Sequence, residues 1–387
     1  MNLEQLFTDH KETRLYGRYI TLEHIEPVLS DLKNHFEISV LGYSVLGKPV
    51  YDIKAGSGST RIFIWSQMHG NEGTTTKAVF DFLNYLKSDV DFARQLKQRF
   101  TFYILPMVNP DGAERYTREN ANEVDLNRDS VNLSQPESRI LRQAFDDFKP
   151  HYAYNMHDQR TIFGLQEGNA RAKPATVSFL APSYNEARDV NDCRQKAINL
   201  IACMNDTLQH YIPRQVGRFN DSFNKNCVGD MFQSLGVPTV LFEAGHYEND
   251  YEREITRKFI FFALFSGFSA INENVVVINK KQQYFNIPQN KIVFYDIIYK
   301  KVRINYENKE KFTNFASQYK EVLFEKSVIF RAFIREIGNL DGFFGHAEFD
   351  CNGEEFKGVE GTGLPKIDEK ADFIVGKTRK FVNGLPI

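Results

Sequence analysis

The chain has 387 residues, enough for one large domain with an appendage or for two to three smaller domains. Hydrophobic residues make up 42% and charged residues 25%, values that exclude a disordered or fibrous protein. The 48 Lys and Arg residues nearly balance the 50 Asp and Glu residues, for a formal net charge of −2. Because no strongly basic surface is indicated, we predict that the chain binds neither nucleic acid nor an anionic membrane.

The ends and the cysteines predict a compartment. Residues 1–16 lack the basic segment followed by an apolar segment that marks a secretory signal. The most apolar stretch, residues 259–271, is too short to cross a bilayer and is predicted to be a buried helix. The four cysteines contain no C-x-x-C pair, which predicts reduced thiols without structural disulfides. These features predict a cytoplasmic protein that does not cross a membrane.

In chain order, the first three quarters of the sequence alternate between extended and helical patterns. Residues 61–66 form a short apolar run typical of a strand buried on both faces, and residues 74–86 carry apolar side chains at helical spacing. Similar patterns predict helices over residues 21–32, 137–148 and 186–210, a hairpin over residues 36–53, and strands over residues 102–108, 151–156, 177–181 and 239–242. The alternation predicts an α/β fold with a mixed, mostly parallel central sheet and helices on both faces.

The pattern changes near residue 272, where a polar connector follows. Beyond the connector, residues 291–304 and 327–337 are predicted strands, and residues 310–322 between them are a predicted helix. We therefore predict two domains, an α/β domain over residues 1–275 and a small α+β or β-rich module over residues 276–387. No prediction is made for the role of the C-terminal module or for the oligomeric state.

Residues with metal-binding chemistry follow the strand predicted at residues 61–66. His69 and Glu72 stand three positions apart in the loop between this strand and the next helix. Loops at strand ends are where α/β sheets bind ligands, and two histidines with one glutamate are an established catalytic zinc set. A lone H-x-x-E motif is common in ordinary loops, so the other strand ends must decide whether a zinc site is present.

Three further segments place polar residues at strand ends. Residues 109–112 form an Asn-Pro-Asp-Gly turn after the second apolar strand, and residues 125–128 read Asp-Leu-Asn-Arg. His157 and Glu243 each follow a later predicted strand. In this order the motifs resemble those of zinc carboxypeptidases of the carboxypeptidase A/B type, over roughly residues 15–270.

The resemblance implies a zinc metallocarboxypeptidase, which removes the C-terminal residue from a peptide or peptide-like substrate with a free carboxylate. It assigns one Zn²⁺ per chain to His69, Glu72 and His157, with a fourth position left for water. It makes Glu243 the general base that takes the proton of that water and returns it to the leaving amine.

The resemblance also assigns roles to polar residues between the zinc ligands. Arg118, in preference to Arg115, would polarise the scissile carbonyl and stabilise the oxyanion. Asn127 and Arg128 would hold the free carboxylate of the substrate, a task suited to a planar guanidinium group. The alternative for each arginine is an exposed ion pair without a catalytic role.

Two positions depart from the family pattern or set specificity within it. The family carries a mobile tyrosine before the general base, whereas residues 217–226 contain no tyrosine, and Tyr247 is the predicted substitute. Asp230 lies near the segment that shapes the specificity pocket of the family. A carboxylate there would favour a basic or amino-bearing terminal residue such as Lys, Arg or diaminopimelate. The alternative for Asp230 is a capping role in a helix.

Two other functions are open at this point. A zinc amidohydrolase of the aspartoacylase or succinylglutamate desuccinylase kind has similar His-Gly-Asn-Glu and Asp-Leu-Asn-Arg motifs but acts on N-acyl amino acids. The turn at residues 109–112 and the Arg118 segment favour the peptidase. The second alternative is a non-catalytic binding protein that retains the peptidase fold, and the intact metal-binding set with Glu243 argues against it.

Overall fold

The computed structural model describes residues 2–168, 170–306, 309–358 and 361–387. The chain divides into two compact units, the first of Met1–Gln159 with Ala175–Asn290 and the second of Arg160–Pro174 with Lys291–Ile387. Residues 160–174 therefore leave the first unit shortly after the strand that ends near His157 and then return to it. The domain boundary predicted at residues 275 and 276 stays a prediction.

The helices among the described residues all lie in the first unit. They are α1 (Leu3–His10), α2 (Leu22–Leu32), α3 (Thr74–Leu86), α4 (Asp91–Arg99), α5 (Pro110–Arg115), α6 (Pro136–Phe148), α7 (Asp192–Gln209), α8 (Val228–Ser234), α9 (Glu254–Asn272) and α10 (Lys281–Asn286), with 3-10 turns at Leu126–Arg128 and Val275–Val277. The apolar stretch at residues 259–271 lies within α9 and is largely buried. Among the described residues, no helix is long and apolar enough to span a bilayer.

The strands occur in both units. They are β1 (Glu37–Tyr43), β2 (Pro49–Ala55), β3 (Thr60–Ser66), β4 (Phe100–Leu105), β5 (Tyr152–Asp158), β6 (Phe163–Leu165), β7 (Lys173–Pro174), β8 (Val177–Leu180), β9 (Val216–Arg218), β10 (Thr239–Ala244), β11 (Lys291–Ile292), β12 (Phe294–Tyr306), β13 (Lys309–Phe324), β14 (Ser327–Gly338), β15 (Phe344–Asp350), β16 (Phe356–Gly358), β17 (Phe373–Val375), β18 (Arg379–Val382) and β19 (Leu385–Pro386).

The first unit is built on a mixed eight-stranded sheet with the strand order β1-β2-β4-β3-β5-β10-β8-β9. The central strands β4, β3, β5 and β10 run parallel to their neighbours in that series, while β1, β2 and β8 pair antiparallel at its flanks. The predicted fold class is confirmed. Parallel alignment brings the carboxyl ends of β3, β5 and β10 to the same edge of the sheet, where ligand sites of α/β proteins form.

Both faces of this sheet are covered, and β3 shows why. Ile62 and Ile64 belong to the apolar core formed with α3, α7 and α9, whereas Phe63 and Trp65 point to the opposite core, formed with α6 and α8. Side chains alternate between the faces of a strand, so a strand covered on both sides needs apolar residues at every position. Residues 62–65 satisfy this requirement, and the loop that carries His69 and Glu72 begins after the end of β3 at Ser66.

The second unit is rich in β-structure, as predicted. It contains four-stranded sheets of order β14-β13-β12-β15 and β16-β17-β18-β19 and a three-stranded sheet of order β11-β6-β7. The helix predicted at residues 310–322 is wrong, because these residues lie in β13, which pairs antiparallel with both β12 and β14. Phe315, Tyr319 and Val322 happen to stand at helical spacing, and pairing with two strands overrides that local pattern.

Candidate metal centre

The loop between β3 and α3 carries His69 and Glu72, and a neighbouring turn supports it. Asn109 at the start of α5 accepts a hydrogen bond from the Gly112 N–H at 2.8 Å and donates from Nδ2 to the Met68 carbonyl at 3.2 Å. A Cβ atom on Gly70 would lie 2.0 Å from the Gly112 carbonyl carbon, so the two backbones touch. The Asn-Pro-Asp-Gly turn thus fixes the position of this loop.

Two parallel strands bring the other polar residues to the same sheet edge. His157 lies near the end of β5 and Glu243 near the end of β10, and the two residues are direct partners in the register of these strands. Partners in a ladder point to the same face, so the Glu243 carboxyl group lies beside the His157 ring. His157 is buried and Glu243 is partly exposed.

The three predicted ligands converge on one point. His69 Nδ1 lies 2.8 Å from Glu72 Oε1, His157 Nδ1 lies 2.8 Å from Glu72 Oε2, and the two Nδ1 atoms are 3.1 Å apart. Among the described residues, His69, Glu72 and His157 are the cluster whose donor atoms are close enough to hold a metal ion. All three side chains are buried.

The chemistry of this cluster fits zinc. Tetrahedral zinc with bonds of about 2.0–2.1 Å separates its ligand atoms by about 3.3 Å, near the separations seen here. Two imidazole nitrogens that face each other next to a carboxylate cannot all act as hydrogen-bond acceptors without a shared cation or proton. His69, Glu72 and His157 can therefore supply three ligands to one Zn²⁺.

The electrostatics of the cluster follow from burial and close contacts. Burial tends to raise the pKa of Glu72, but the His69 and His157 rings outweigh it and hold that pKa well below its ordinary value. Burial lowers the pKa of His157. The pKa of Glu243 is raised well above its ordinary value by burial and by the carboxylates of Glu72 and Asp158.

Asp125 is a functional residue to which the sequence analysis assigned no role. Its Oδ1 atom lies 3.0 Å from His69 Nε2, on the side of the ring away from Glu72. It also accepts the Asn127 N–H at 2.9 Å and so caps the 3-10 turn Leu126–Arg128. A carboxylate behind a ligating histidine fixes the ring orientation and raises its basicity. The available signal was Asp125 opening the Asp-Leu-Asn-Arg motif.

Arg118 lies at the centre, and Arg115 does not. Arg118 Nη1 lies 3.1 Å from His69 Nδ1 and 3.4 Å from Glu72 Oε1, and Nη2 pairs with Asp125 Oδ2 at 3.0 Å. Arg115 instead donates to the Ala121 carbonyl at 3.4 Å on the surface. The Arg118 side chain is 40% exposed, so it can contact a substrate from the solvent side.

Asn127 and Arg128 occupy different positions in the 3-10 turn. Asn127 is buried, and its Oδ1 atom accepts the Val228 N–H at 3.0 Å, which ties the turn to the start of α8. Arg128 is exposed and donates from Nη1 to the Asn127 carbonyl at 2.8 Å. The structure thus leaves the Arg128 side chain accessible for a carboxylate, while Asn127 supports the turn.

Asp230 and Tyr247 lie on opposite sides of β10. Asp230 is buried in the first turn of α8, where Cys227 is the N-cap, so Asp230 is not the capping residue. Burial raises its pKa to about 7. The Tyr247 ring packs against Phe259 of α9, with ring centroids 6.0 Å apart, so contact with a substrate would require this ring to leave the core.

Comparisons with known proteins agree with this geometry. A model of the family described as zinc carboxypeptidase matches residues 22–195. Carboxypeptidase 2 of Trichophyton tonsurans is 30% identical over 139 residues, which cover 36% of this chain and 25% of that protein. Gamma-D-glutamyl-L-diamino acid endopeptidase 1 of Lysinibacillus sphaericus is 38% identical over 80 residues, which cover 19% of this chain and 20% of that protein.

The solved structure of a metallo-carboxypeptidase from Burkholderia cenocepacia has a similar fold. It superposes with a TM-score of 0.52 at 16% identity, covering 65% of this chain and 69% of that one. The chain spans only about a quarter of the length of the Trichophyton relative. The family match includes His69, Glu72 and His157, whose side chains converge in the structure. Residues 22–195, which carry the three converging side chains, are therefore similar to the zinc carboxypeptidase family.

Proposed function

We propose that the chain is a zinc metallocarboxypeptidase that hydrolyses the last bond of a peptide or peptide-like substrate with a free carboxylate. The observation that carries this proposal is the convergence of His69, Glu72 and His157 beside Glu243, at the strand ends of a domain similar to zinc carboxypeptidases. The non-catalytic alternative gains no support, since the metal-binding set and the acid–base candidate are all present at one sheet edge.

Each residue of the centre has a proposed part in the reaction. A bound Zn²⁺ supplies a Lewis acid and lowers the pKa of a coordinated water to about 7. Glu243 accepts the proton of the attacking water and delivers it to the leaving amine. The exposed Arg118 guanidinium group donates hydrogen bonds to the carbonyl oxygen as negative charge develops there.

The terminal carboxylate is proposed to bind at the 3-10 turn Leu126–Arg128. Arg128 offers an exposed guanidinium group, which can bind a carboxylate through two parallel hydrogen bonds. Asn127 holds the turn against α8 and presents its amide beside Arg128. A requirement for this carboxylate distinguishes the removal of a terminal residue from cleavage within a chain.

The side chain removed is proposed to carry an amino group. Asp230 is a buried carboxyl group in α8, the helix whose Val228 N–H bonds to Asn127, and a protonated amine would compensate its charge. The similar gamma-D-glutamyl-L-diamino acid endopeptidase 1 is named for a diamino acid, which supports an amino-bearing residue in the substrate of this chain. Tyr247 stays a proposed substrate contact that depends on movement of its ring away from Phe259.

A cytoplasmic place of action is also proposed. All four cysteines are free thiols, as expected in a reducing compartment. Measurement of the protein in cytoplasmic and exported fractions of the producing cells tests this, and accumulation in the exported fraction would contradict it.

A substrate screen tests the proposed activity. The zinc-loaded protein is incubated with peptides that end in Lys, Phe or diaminopimelate, with their C-terminal amides, and with N-acyl amino acids, and products are identified by mass spectrometry. We expect loss of one terminal residue from the free acids, fastest for amino-bearing ends, and none from the amides or from metal-free protein. Cleavage of N-acyl amino acids alone would assign the chain to the amidohydrolases instead.

A further inference from the structure

The segment Gly17–Ile20 lies along the metal-binding loop although it precedes the residues that match the family. Lys77 Nζ donates to the Gly17 carbonyl at 2.7 Å, and Gln67 Nε2 donates to the Ile20 carbonyl at 2.7 Å and to the Gly70 carbonyl at 2.8 Å. A Cβ atom on Gly73 would lie 3.0 Å from the Ile20 side chain. The N-terminal segment is therefore packed against both ends of the loop that carries His69 and Glu72.

Arg18 sends its side chain from this segment towards the end of β5. It is buried, its Nε donates to the Tyr116 hydroxyl at 3.4 Å, and its Nη1 lies 3.7 Å from Asp158 Oδ2. The side chains of Arg18 and Asp158 are only 5% and 2% exposed. A charge pair this deeply buried is weakly screened by solvent. Arg253 also acts on Asp158, so loss of Arg18 would leave the carboxylate only partly compensated.

Asp158 joins the two segments that supply the metal ligands. It directly follows His157, and its carboxylate accepts the N–H groups of Thr74 at 3.1 Å and Thr75 at 3.3 Å, at the start of α3. Its own N–H donates to Glu72 Oε2 at 3.2 Å. The orientation of this one residue thus affects both His157 and Glu72.

We propose that Arg18 is a positioning residue for the metal centre, acting through Asp158. By compensating the Asp158 charge, Arg18 holds the carboxylate in its hydrogen bonds to the N-terminus of α3. It thereby also holds the Asp158 N–H in its hydrogen bond to Glu72, so that His157 and Glu72 point at the same metal position. The inference rests on the proposed function only in taking zinc as the metal. Loss of comparable outer-shell partners reduces metal affinity about 10- to 100-fold.

Zinc affinity of the full-length protein tests this proposal without reference to peptide cleavage. Metal-free wild type, Arg18→Met and Arg14→Met are titrated with zinc in competition with a chromogenic chelator, and thermal unfolding of the metal-free proteins is recorded. Arg14 is a matched control, since it lies shortly before Arg18 in the chain but pairs with Glu12 and Asp31 instead of Asp158. We expect Arg18→Met to bind zinc about 10- to 100-fold more weakly, and Arg14→Met to bind like the wild type.

The double variant Arg18→Met with Asp158→Asn separates positioning from stability, because it removes both charges of the pair. We expect it to unfold at a higher temperature than Arg18→Met yet still to bind zinc more weakly than the wild type. If Arg18→Met does not fold, the double variant decides in its place. Wild-type zinc affinity in the folded variants would overturn the proposal. Zinc binding by a wild type that cleaves no peptide would instead refute the proposed function and leave this inference intact.

Discussion

Two buried clusters of charged residues in the first unit differ in how fully their acceptor atoms are matched by donors of the protein. Between α3 and α9, the Arg257 Nε and Nη2 atoms donate to the two oxygens of Asp81 at 2.7 and 2.6 Å. Lys77 pairs with Glu254 at 2.5 Å, and the Glu12 N–H adds a further donor to Asp81 at 2.7 Å. Each carboxylate there faces cationic or N–H donors of the protein itself. We call these residues, namely Glu12, Lys77, Asp81, Glu254 and Arg257, the helix cluster.

The metal centre is less well balanced. The acceptor atoms of His69, Glu72 and His157 face one another within 3.1 Å, and Glu243 adds a carboxyl group alongside. The cation in contact with these acceptors is the partly exposed Arg118, which also pairs with Asp125. A buried cluster that is complete within the protein is expected to stabilise the fold, whereas a buried excess of acceptors is expected where a cation binds. The contrast predicts that changes in one cluster alter chemistry and changes in the other alter stability.

The largest effect is expected from Glu243→Gln. Because the amide cannot accept a proton, kcat is expected to fall by about 10²- to 10⁴-fold, the usual contribution of general acid–base catalysis. Zinc content and unfolding temperature are expected to stay near those of the wild type. Kinetics on a peptide that ends in Lys, with metal analysis, provide the measurement, and Glu248→Gln on the exposed loop nearby is the control. Undiminished turnover would remove Glu243 from the mechanism.

Asp81→Ala should have its effect on stability instead. Removing Asp81 takes away the carboxylate that binds Arg257 through two hydrogen bonds and leaves Glu254 as a weaker partner, which costs up to about 3–5 kcal/mol of unfolding free energy. Urea denaturation measures the loss, and Asp89→Ala at the exposed end of the same region is the control. We expect the folded variant to bind zinc like the wild type. A selective loss of zinc affinity without loss of stability would abolish the distinction between the clusters.

Arg128→Ala tests the proposed contact between an exposed cation and the substrate. Loss of a charged hydrogen bond to the terminal carboxylate, worth about 1.5–3 kcal/mol, should raise KM about 10- to 100-fold. Arg115→Ala, which removes an exposed guanidinium group bound to the Ala121 carbonyl, is expected to leave KM unchanged. Steady-state kinetics on the two variants make the comparison. Equal KM values would show that Arg128 does not bind the substrate.

The loop that carries His69 and Glu72 could be predicted from the sequence because the signals for β3 and α3 are local. The apolar run at residues 61–66 and the helical spacing of residues 74–86 place His69 and Glu72 in one short loop, and α3 has the predicted bounds. Parallel pairing then brings His157 and Glu243 to the same edge. The position of a residue in a strand-end loop can be predicted without information about distant contacts.

Contacts between side chains far apart in the sequence could not be predicted. Asp125 meets His69 across 56 residues, and Asp81 meets Arg257 across 176 residues. No periodicity or spacing in the sequence encodes such a pair, because each partner sits in an ordinary local pattern. The prediction of a helix at residues 310–322 failed for a related reason. Pairing of β13 with β12 and β14 outweighs the helical spacing of its aromatic residues. Local patterns therefore predicted elements and motifs, while packing decided which charges meet.

The smallest expected effect concerns Asp230, a buried carboxyl group that belongs neither to the helix cluster nor to the metal centre. Its pKa is raised to about 7 by burial, so the group is mostly neutral at pH 6 and mostly ionised at pH 8. A Lys side chain stays protonated throughout this range. If Asp230 contacts the terminal residue, the ratio of kcat/KM for Lys-ended over Leu-ended peptides should rise by up to about tenfold between pH 6 and 8.

The ratio isolates this carboxyl group, because both peptides share the zinc centre, Glu243 and the contact to the terminal carboxylate. In Asp230→Asn the ratio should be low and independent of pH. Stability should move in the opposite direction. A carboxyl group with a raised folded-state pKa opposes folding once ionised, so the free energy of unfolding should fall as pH rises from about 4 to 7, and less so in the variant. A falling stability with a flat ratio would mean that Asp230 is buried like a member of the helix cluster and takes no part in specificity.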